Sequence, residues 1–291
     1  MRKIQEATLC GYFHGHSHPA HKEDISTANP KQKSVSNRDA YEHKAVTKFG
    51  QSVYWYPRVE DVPDGFSFYV AHEFFDALPI NKFCKTKEGE WREVLIDIGQ
   101  TAGENREELR FVLSKFATPA LRLIQTKSYN GMQGLEISPK TGVIINHLSN
   151  RIDKFGGGVL IADYGRNSAA ADSFRGFKNH QIHDVLKDPG NADLTADVDF
   201  SYIRQHCNEH VVAYGPVSQR EFLISMGIDV RYRRLSEACA EKDKSDLGAA
   251  YHTLVDPDKM GTRFQFFSIF PKTMLPIHHK YPPAGFKESN I

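Results

Sequence analysis

The 291 residues carry 37 Lys and Arg against 36 Asp and Glu, with 40% hydrophobic and 25% charged residues. These are the proportions of an ordinary folded protein with one sizeable core or two modest ones, and so even a charge gives no global field to recruit nucleic acid or an anionic membrane. No window approaches the roughly 20 apolar residues that a bilayer-spanning helix needs, and Cys10, Cys84, Cys207 and Cys239 lack the paired spacing of a zinc knuckle or a disulfide framework.

The opening MRKIQEATLCGYFHGHSH has neither an apolar h-region nor a long Arg/Ser-rich amphipathic stretch, so no targeting peptide is read in it. Residues 1–10 read as the end of a helix with Ile4 and Leu9 as its few apolar contacts. Residues 11–42, rich in His, Ser, Asn, Lys and Pro, have no apolar period and read as a mobile surface loop. Within it, His14, His16, His18 and His21 are better taken as solvated than as metal ligands.

Residues 53–56 read as a short strand and 61–65 as a turn. Residues 65–79 follow as GFSFYVAHEFFDALP. Phe66, Phe68, Val70 and Ala71 supply the aromatic and β-branched content of a buried strand, with Pro63, Gly65 and Pro79 as its boundaries. The run stops at His72, Glu73 and Asp76. Carboxylates resist burial, so two of them directly after a core strand are expected at its carboxyl end, where open α/β sheets form their ligand crevices. Glu73 and Asp76 are therefore candidates for holding a polar substrate through charge-assisted hydrogen bonds. The plainer alternatives are a helix cap at Asp76 and a structural Arg partner for Glu73.

From Phe83 the pattern changes: Trp91, Val94, Ile96 and Ile98 suggest a strand and residues 110–114 its antiparallel partner, so 83–137 reads as a β-rich insertion. Residues 143–155 show helical spacing through Ile144, Leu148 and Ile152. Gly156, Gly157 and Gly158 then read as a helix stop, because phosphate loops follow a strand rather than precede one. Residues 159–165, VLIADYG, form a second apolar strand that ends in a carboxylate. Such unbroken runs are produced by parallel sheets covered on both faces, which favours an α/β class. Asp163 and Tyr164 would line the same crevice, the alternative being an ordinary strand-to-loop junction.

Residues 172–200 are dense in polar and aromatic groups, among them Arg175, His180, His183, Asp193, Thr195, Asp197 and Asp199. They fit a loop laid over the crevice or a structural polar network. The spacing of His180 and His183 matches no strong metal signature, so no metal is expected. Helical patterns at 199–208 and 218–227 and the aromatic strand RFQFFSIF at 263–270 complete one sheet, and 276–291 is a tail.

Four ordered motifs, AHEFFDALP, GGGVLIADYG, DSFRGF with HDVL and DPG, and DLTADVDFSYIR, resemble the MidA family of S-adenosylmethionine-dependent methyltransferases. The resemblance is strongest to its animal mitochondrial members, protein-arginine methyltransferases that act as assembly factors of respiratory complex I, and it runs from about residue 46 to residue 270. It implies a Rossmann-like class I methyltransferase sheet formed by residues 46–82 and 138–275. It further implies S-adenosyl-L-methionine as co-substrate without a metal, a place in the mitochondrial matrix, and symmetric dimethylation of an arginine in a core subunit of complex I. By position, His72 and Glu73 match the family's strand-four motif, where the commoner first residue is Asn. Asp163, Tyr164 and Gly165 match the next strand end, and Arg175, His180 and residues 193–200 match the downstream signature.

The roles implied are catalytic for Glu73 and Asp76, and donor-binding for His72, Asp163 and Tyr164. Arg175, His180, Asp193, Asp197 and Asp199 fall on the substrate or lid side. Family members open with a strand, a glycine-rich turn and a helix, then a second strand ending in an acid. Here residues 1–5, MRKIQ, resemble the helix that follows that acid. The expectation is an amino-terminally truncated sheet with exposed apolar edges, in which residues 1–45 are a residual helix and the His-rich loop. The alternative to an enzyme is a binding protein that keeps its partner contacts but not the donor site.

Overall fold

The computed structural model describes residues 41–100, 107–124 and 129–286, so the expected amino-terminal helix, most of the His-rich loop and its histidine cluster lie outside the described residues. Residues up to Gly65 and those from Phe66 onward form two separate units. In the first, β1 (His43–Val46) and β2 (Ser52–Trp55) make an antiparallel hairpin. The Thr47 hydroxyl accepts from the N–H groups of Phe49 and Gln51 to close its turn. The sequence pattern suggests only the second of these strands.

The second unit begins with β3 (Ser67–His72). Next come β4 (Asn81–Lys85), β5 (Trp91–Gln100), β6 (Glu107–Leu113) and β7 (Gly134–Ile137), an antiparallel sheet in the order β6-β5-β4-β7. Phe83, Trp91, Leu135 and Ile137 are its buried core, with Leu121, Tyr129, Met132 and Tyr202 packed against them.

Ser138 then caps α1 (Pro139–Phe155), its side chain accepting from the Thr141 N–H, and Pro139 fills a first-turn position where no donor is needed. Ile144, Ile145, Leu148 and Ile152 form its buried stripe, and the helix stops at Gly156 with φ 78.

Gly157 starts β8 (Gly157–Arg166) at φ 113, and a Cβ there would sit 1.9 Å from the Ser67 carbonyl oxygen, so only glycine lets the two strands meet. β9 (Arg175–Lys178), β10 (Gln181–His183) and β11 (Asp193–Thr195) form a small antiparallel flap. β12 (Val198–Asp199) joins β8 in parallel beyond Gly165 and leads into α2 (Phe200–His206). β13 (Val211–Ser218), α3 (Gln219–Ser225), α4 (Ile228–Ala238), α5 (Lys244–Val255), β14 (Phe264–Pro271) and α6 (Leu275–Lys280) complete the described chain.

The main sheet runs β3-β8-β14-β13. β3 is parallel to β8, whereas β14 is antiparallel to both β8 and β13. Val159, Ile161, Phe264, Phe267 and Ile269 make its core with Ile145, Ile152, Phe200 and Ile203.

One strand departs from expectation. Phe66, Phe68 and Val70 are 68%, 72% and 73% exposed, so the run is not a buried strand. β3 pairs with β8 alone, and successive side chains of a strand point to opposite faces. Only the face carrying Tyr69 and Ala71 is covered, with the Tyr69 hydroxyl accepting from Nε of Arg151 on α1 at 2.8 Å.

Candidate functional site

β3 and β8 run in parallel with His72 opposite Ala162, so both strands deliver their last residues to one edge of the sheet. There Glu73 takes φ 47, in the left-handed region, while its N–H still donates to the Ala162 carbonyl at 3.0 Å. His72 and Glu73 are exposed and Tyr164 is half-buried. The Tyr164 hydroxyl is held above its ordinary range by burial first and then by the charges of Glu73 and Asp76. An exposed carboxylate, an imidazole and an aromatic ring thus share the sheet edge.

Asp163 lies one position behind them and is fully buried. Its Oδ2 accepts from the N–H groups of Phe74, Phe75 and Asp76 at 3.2, 3.0 and 3.4 Å, and its Oδ1 accepts from the Tyr164 N–H at 2.9 Å. Burial raises this carboxyl to about 7, the Asp76 charge adds to that rise, and the N–H groups oppose it. The sequence resemblance puts Asp163 on the donor, yet in this geometry its oxygens are occupied by the chain's own backbone.

Asp76 turns the other way. Its Oδ2 accepts from the Thr195 hydroxyl at 2.7 Å, and its carbonyl accepts from the Ala196 N–H at 3.0 Å. It therefore fastens the flap to the turn after β3 and caps no helix. Arg175 on the flap and Arg166 at the end of β8 each donate to Asp197, both at 2.8 Å. Burial pushes Asp197 up, but these two guanidinium bonds outweigh it and hold the group below the usual carboxylate range.

Asp199 caps α2 through the N–H groups of Ser201 and Tyr202. Asp193 opens β11 and is exposed. His180 is exposed at the β9–β10 turn with φ 61, beside Asn179 at φ 52. The structure thus joins Asp76 and Thr195 to the strand-end turn, and ties Arg175 and Asp197 to each other.

A second group escaped the sequence reading. Glu136 is buried between Leu135 and Ile137, taking bonds from Lys82 Nζ at 2.8 Å and from the Ser173 hydroxyl and N–H at 2.6 and 2.9 Å. The Ser173 Oγ in turn accepts from the Asp197 N–H at 2.9 Å. The available signal was a carboxylate inside an apolar strand, which demands a partner. Phe75, Glu136, Ser138, Thr141, Asp197 and Tyr202 line a small cleft beside this network. Among the described residues, no group of three or more His, Cys, Asp or Glu is placed to hold a metal ion, and no helix is long and apolar enough to cross a membrane.

Comparison with known proteins bears on this arrangement. A family model described as "Putative S-adenosyl-L-methionine-dependent methyltransferase" matches residues 1–217. The chain is 45% identical over 268 residues to the Danio rerio protein named "Protein arginine methyltransferase NDUFAF7, mitochondrial", covering 90% of this chain and 62% of that one. To the Homo sapiens protein of the same name it is 48% identical over 233 residues, covering 80% of this chain and 52% of that one. The chain therefore spans 62% and 52% of the lengths of these two curated relatives. In fold it is similar to the crystal structure of a COG1565 superfamily member from Burkholderia thailandensis bound to S-adenosyl-homocysteine. That match has a TM-score of 0.59 at 21% identity, over 74% of this chain and 56% of that one.

Proposed function

We infer that this chain, which belongs to the family of S-adenosyl-L-methionine-dependent methyltransferases, carries the arginine-directed part of a mitochondrial protein methyltransferase. Its α/β sheet is of the class I methyltransferase type. The finer reading is symmetric dimethylation of an arginine in a core subunit of complex I, during assembly in the mitochondrial matrix. It rests on the four sequence motifs set out above.

The observation that carries the activity is the exposed Glu73 carboxylate at the carboxyl end of a parallel strand pair, beside Tyr164. The donor supplies a sulfonium methyl, and the nucleophile is a guanidinium nitrogen that has to shed a proton. A carboxylate orients that planar cation with two hydrogen bonds, and alignment with the methyl supplies much of the rate. His72, Glu73 and Tyr164 fit one side of such a site: an acceptor for ammonium or hydroxyl groups, with a ring against which apolar atoms pack. Asp76 holds the flap and Asp163 holds the turn, so neither meets the guanidinium.

The test is methyl transfer from labelled S-adenosyl-L-methionine to an arginine-containing peptide by the purified chain. Because Glu73 is exposed, Glu73→Gln is expected to lower the rate by about 100-fold, the scale of lost acid–base and orienting catalysis, at an unchanged melting temperature. Equal rates would remove Glu73 from the mechanism. A chain that shows no donor binding by calorimetry would sink the enzyme reading.

A further inference from the structure

Three successive N–H groups, those of Phe74, Phe75 and Asp76, aim at one oxygen of Asp163, with the Tyr164 N–H on the other. Consecutive amides converging on one point make an anion-binding nest. Here the anion is the chain's own carboxylate, fully buried, so no molecule in the crevice competes for it. For the amides to converge, the backbone has to turn sharply as soon as it leaves β3, and the residue at that corner is Glu73, at φ 47. The far end of the same turn is tied down by the bonds from Thr195 and Ala196 to Asp76.

We propose that Asp163 is a positioning residue which, by filling this nest, forces Glu73 into the left-handed conformation and fixes where the Glu73 carboxylate stands at the sheet edge. The inference rests on Glu73 being the arginine-orienting group. It gives the buried acid a task other than touching donor or substrate. It also explains why an L-residue occupies a backbone region that glycine fills at far lower cost.

Asp163→Asn keeps the side-chain size but sets an amide nitrogen against one set of N–H donors. The variant is expected to lose about 100-fold in kcat, the scale of a displacement near 1 Å, while S-adenosyl-homocysteine affinity by calorimetry stays within about twofold. A merely structural role would weaken both together.

If that variant does not fold, the unmodified chain answers through its amide spectra between about pH 5 and pH 9. The Phe74, Phe75 and Tyr164 amides are expected to titrate with one midpoint that recurs in the pH profile of kcat, activity rising with ionisation. The groups facing Asp163 and its neighbour Tyr164 are Asp76, Glu73 and Arg175, with His72 at the adjacent strand end and the neutral Gln265 opposite on β14. Asp76→Asn is therefore the control, expected to lower the midpoint of the amides and that of kcat together, because it removes the Asp76 charge that adds to the rise.

Full kcat in a folded Asp163→Asn chain with displaced amides, or amides that titrate with no echo in kcat, overturns this inference alone. A wild-type chain with no methyl transfer overturns the functional reading and takes the catalytic half of this one with it.

Discussion

Glu73 sits in a conformation that costs an L-residue about 1 to 2 kcal/mol, with φ 47. That strain is held by the bonds around it, as strain at functional sites generally is. Glu73→Gly is accordingly expected to be more stable than Glu73→Ala by about 1 kcal/mol, because glycine adopts the corner freely and alanine does not. Thermal unfolding of the two variants measures this, and equal midpoints would show that the turn is unstrained. The place of Glu73 at the strand end was legible in the sequence, since a carboxylate after an apolar strand has few places to go. The role of Asp163 was not, because its donors Phe74 and Phe75 lie 89 and 88 positions away in the chain.

At the scale of elements, the parallel pairing of β3 with β8 depends on Gly157. Its φ of 113 and the 1.9 Å approach that a Cβ would make to the Ser67 oxygen leave no room for a side chain. Gly157→Ala is expected to cost more than about 4 kcal/mol, since it combines a forbidden backbone conformation with overlap against a carbonyl. A variant melting within a degree or so of the parent would refute that close approach. β8 was readable as a strand from its unbroken apolar run and β14 from its aromatic residues. β13 was not, because Gly215 and Pro216 interrupt its apolar residues, nor was α4, which buries no residue and so has no stripe to read.

At the scale of the second unit, one polar chain links Lys82, Glu136, Ser173, Asp197, Arg175 and Arg166, and through them the β4–β7 sheet, the flap and the main sheet. Its member Asp197 and the buried Asp163 respond oppositely to pH. Asp163 has its folded-state carboxyl raised to about 7, so the native protein binds that proton more tightly than the unfolded chain does. Its stabilising contribution is full below the ordinary carboxylate range and is lost as pH rises through about 7. Asp197 is lowered, so its contribution is present above that range and lost in acid. The stability of the parent relative to Asp163→Asn is therefore expected to fall by a few kcal/mol between about pH 5 and pH 8. Chemical denaturation of both chains across that interval tests it, and a constant difference would show that Asp163 stays ionised throughout.

By itself the sequence determined the α/β class, the positions of β2, β3, β5, β6, β8, β14, α1, α2 and α3, and the edge at which His72, Glu73 and Tyr164 stand, because apolar run length, helical spacing and turn residues are local properties of the chain. Only the tertiary structure decided which face of β3 is covered, that Asp163 is spent on the Glu73 turn, that Asp76 holds Thr195, and that Asp197 is shared between Arg166 and Arg175. Those outcomes turn on partners such as Thr195 and Asp76, which stand 119 positions apart. A carboxylate advertises that it needs donors, and the fold selects which ones arrive.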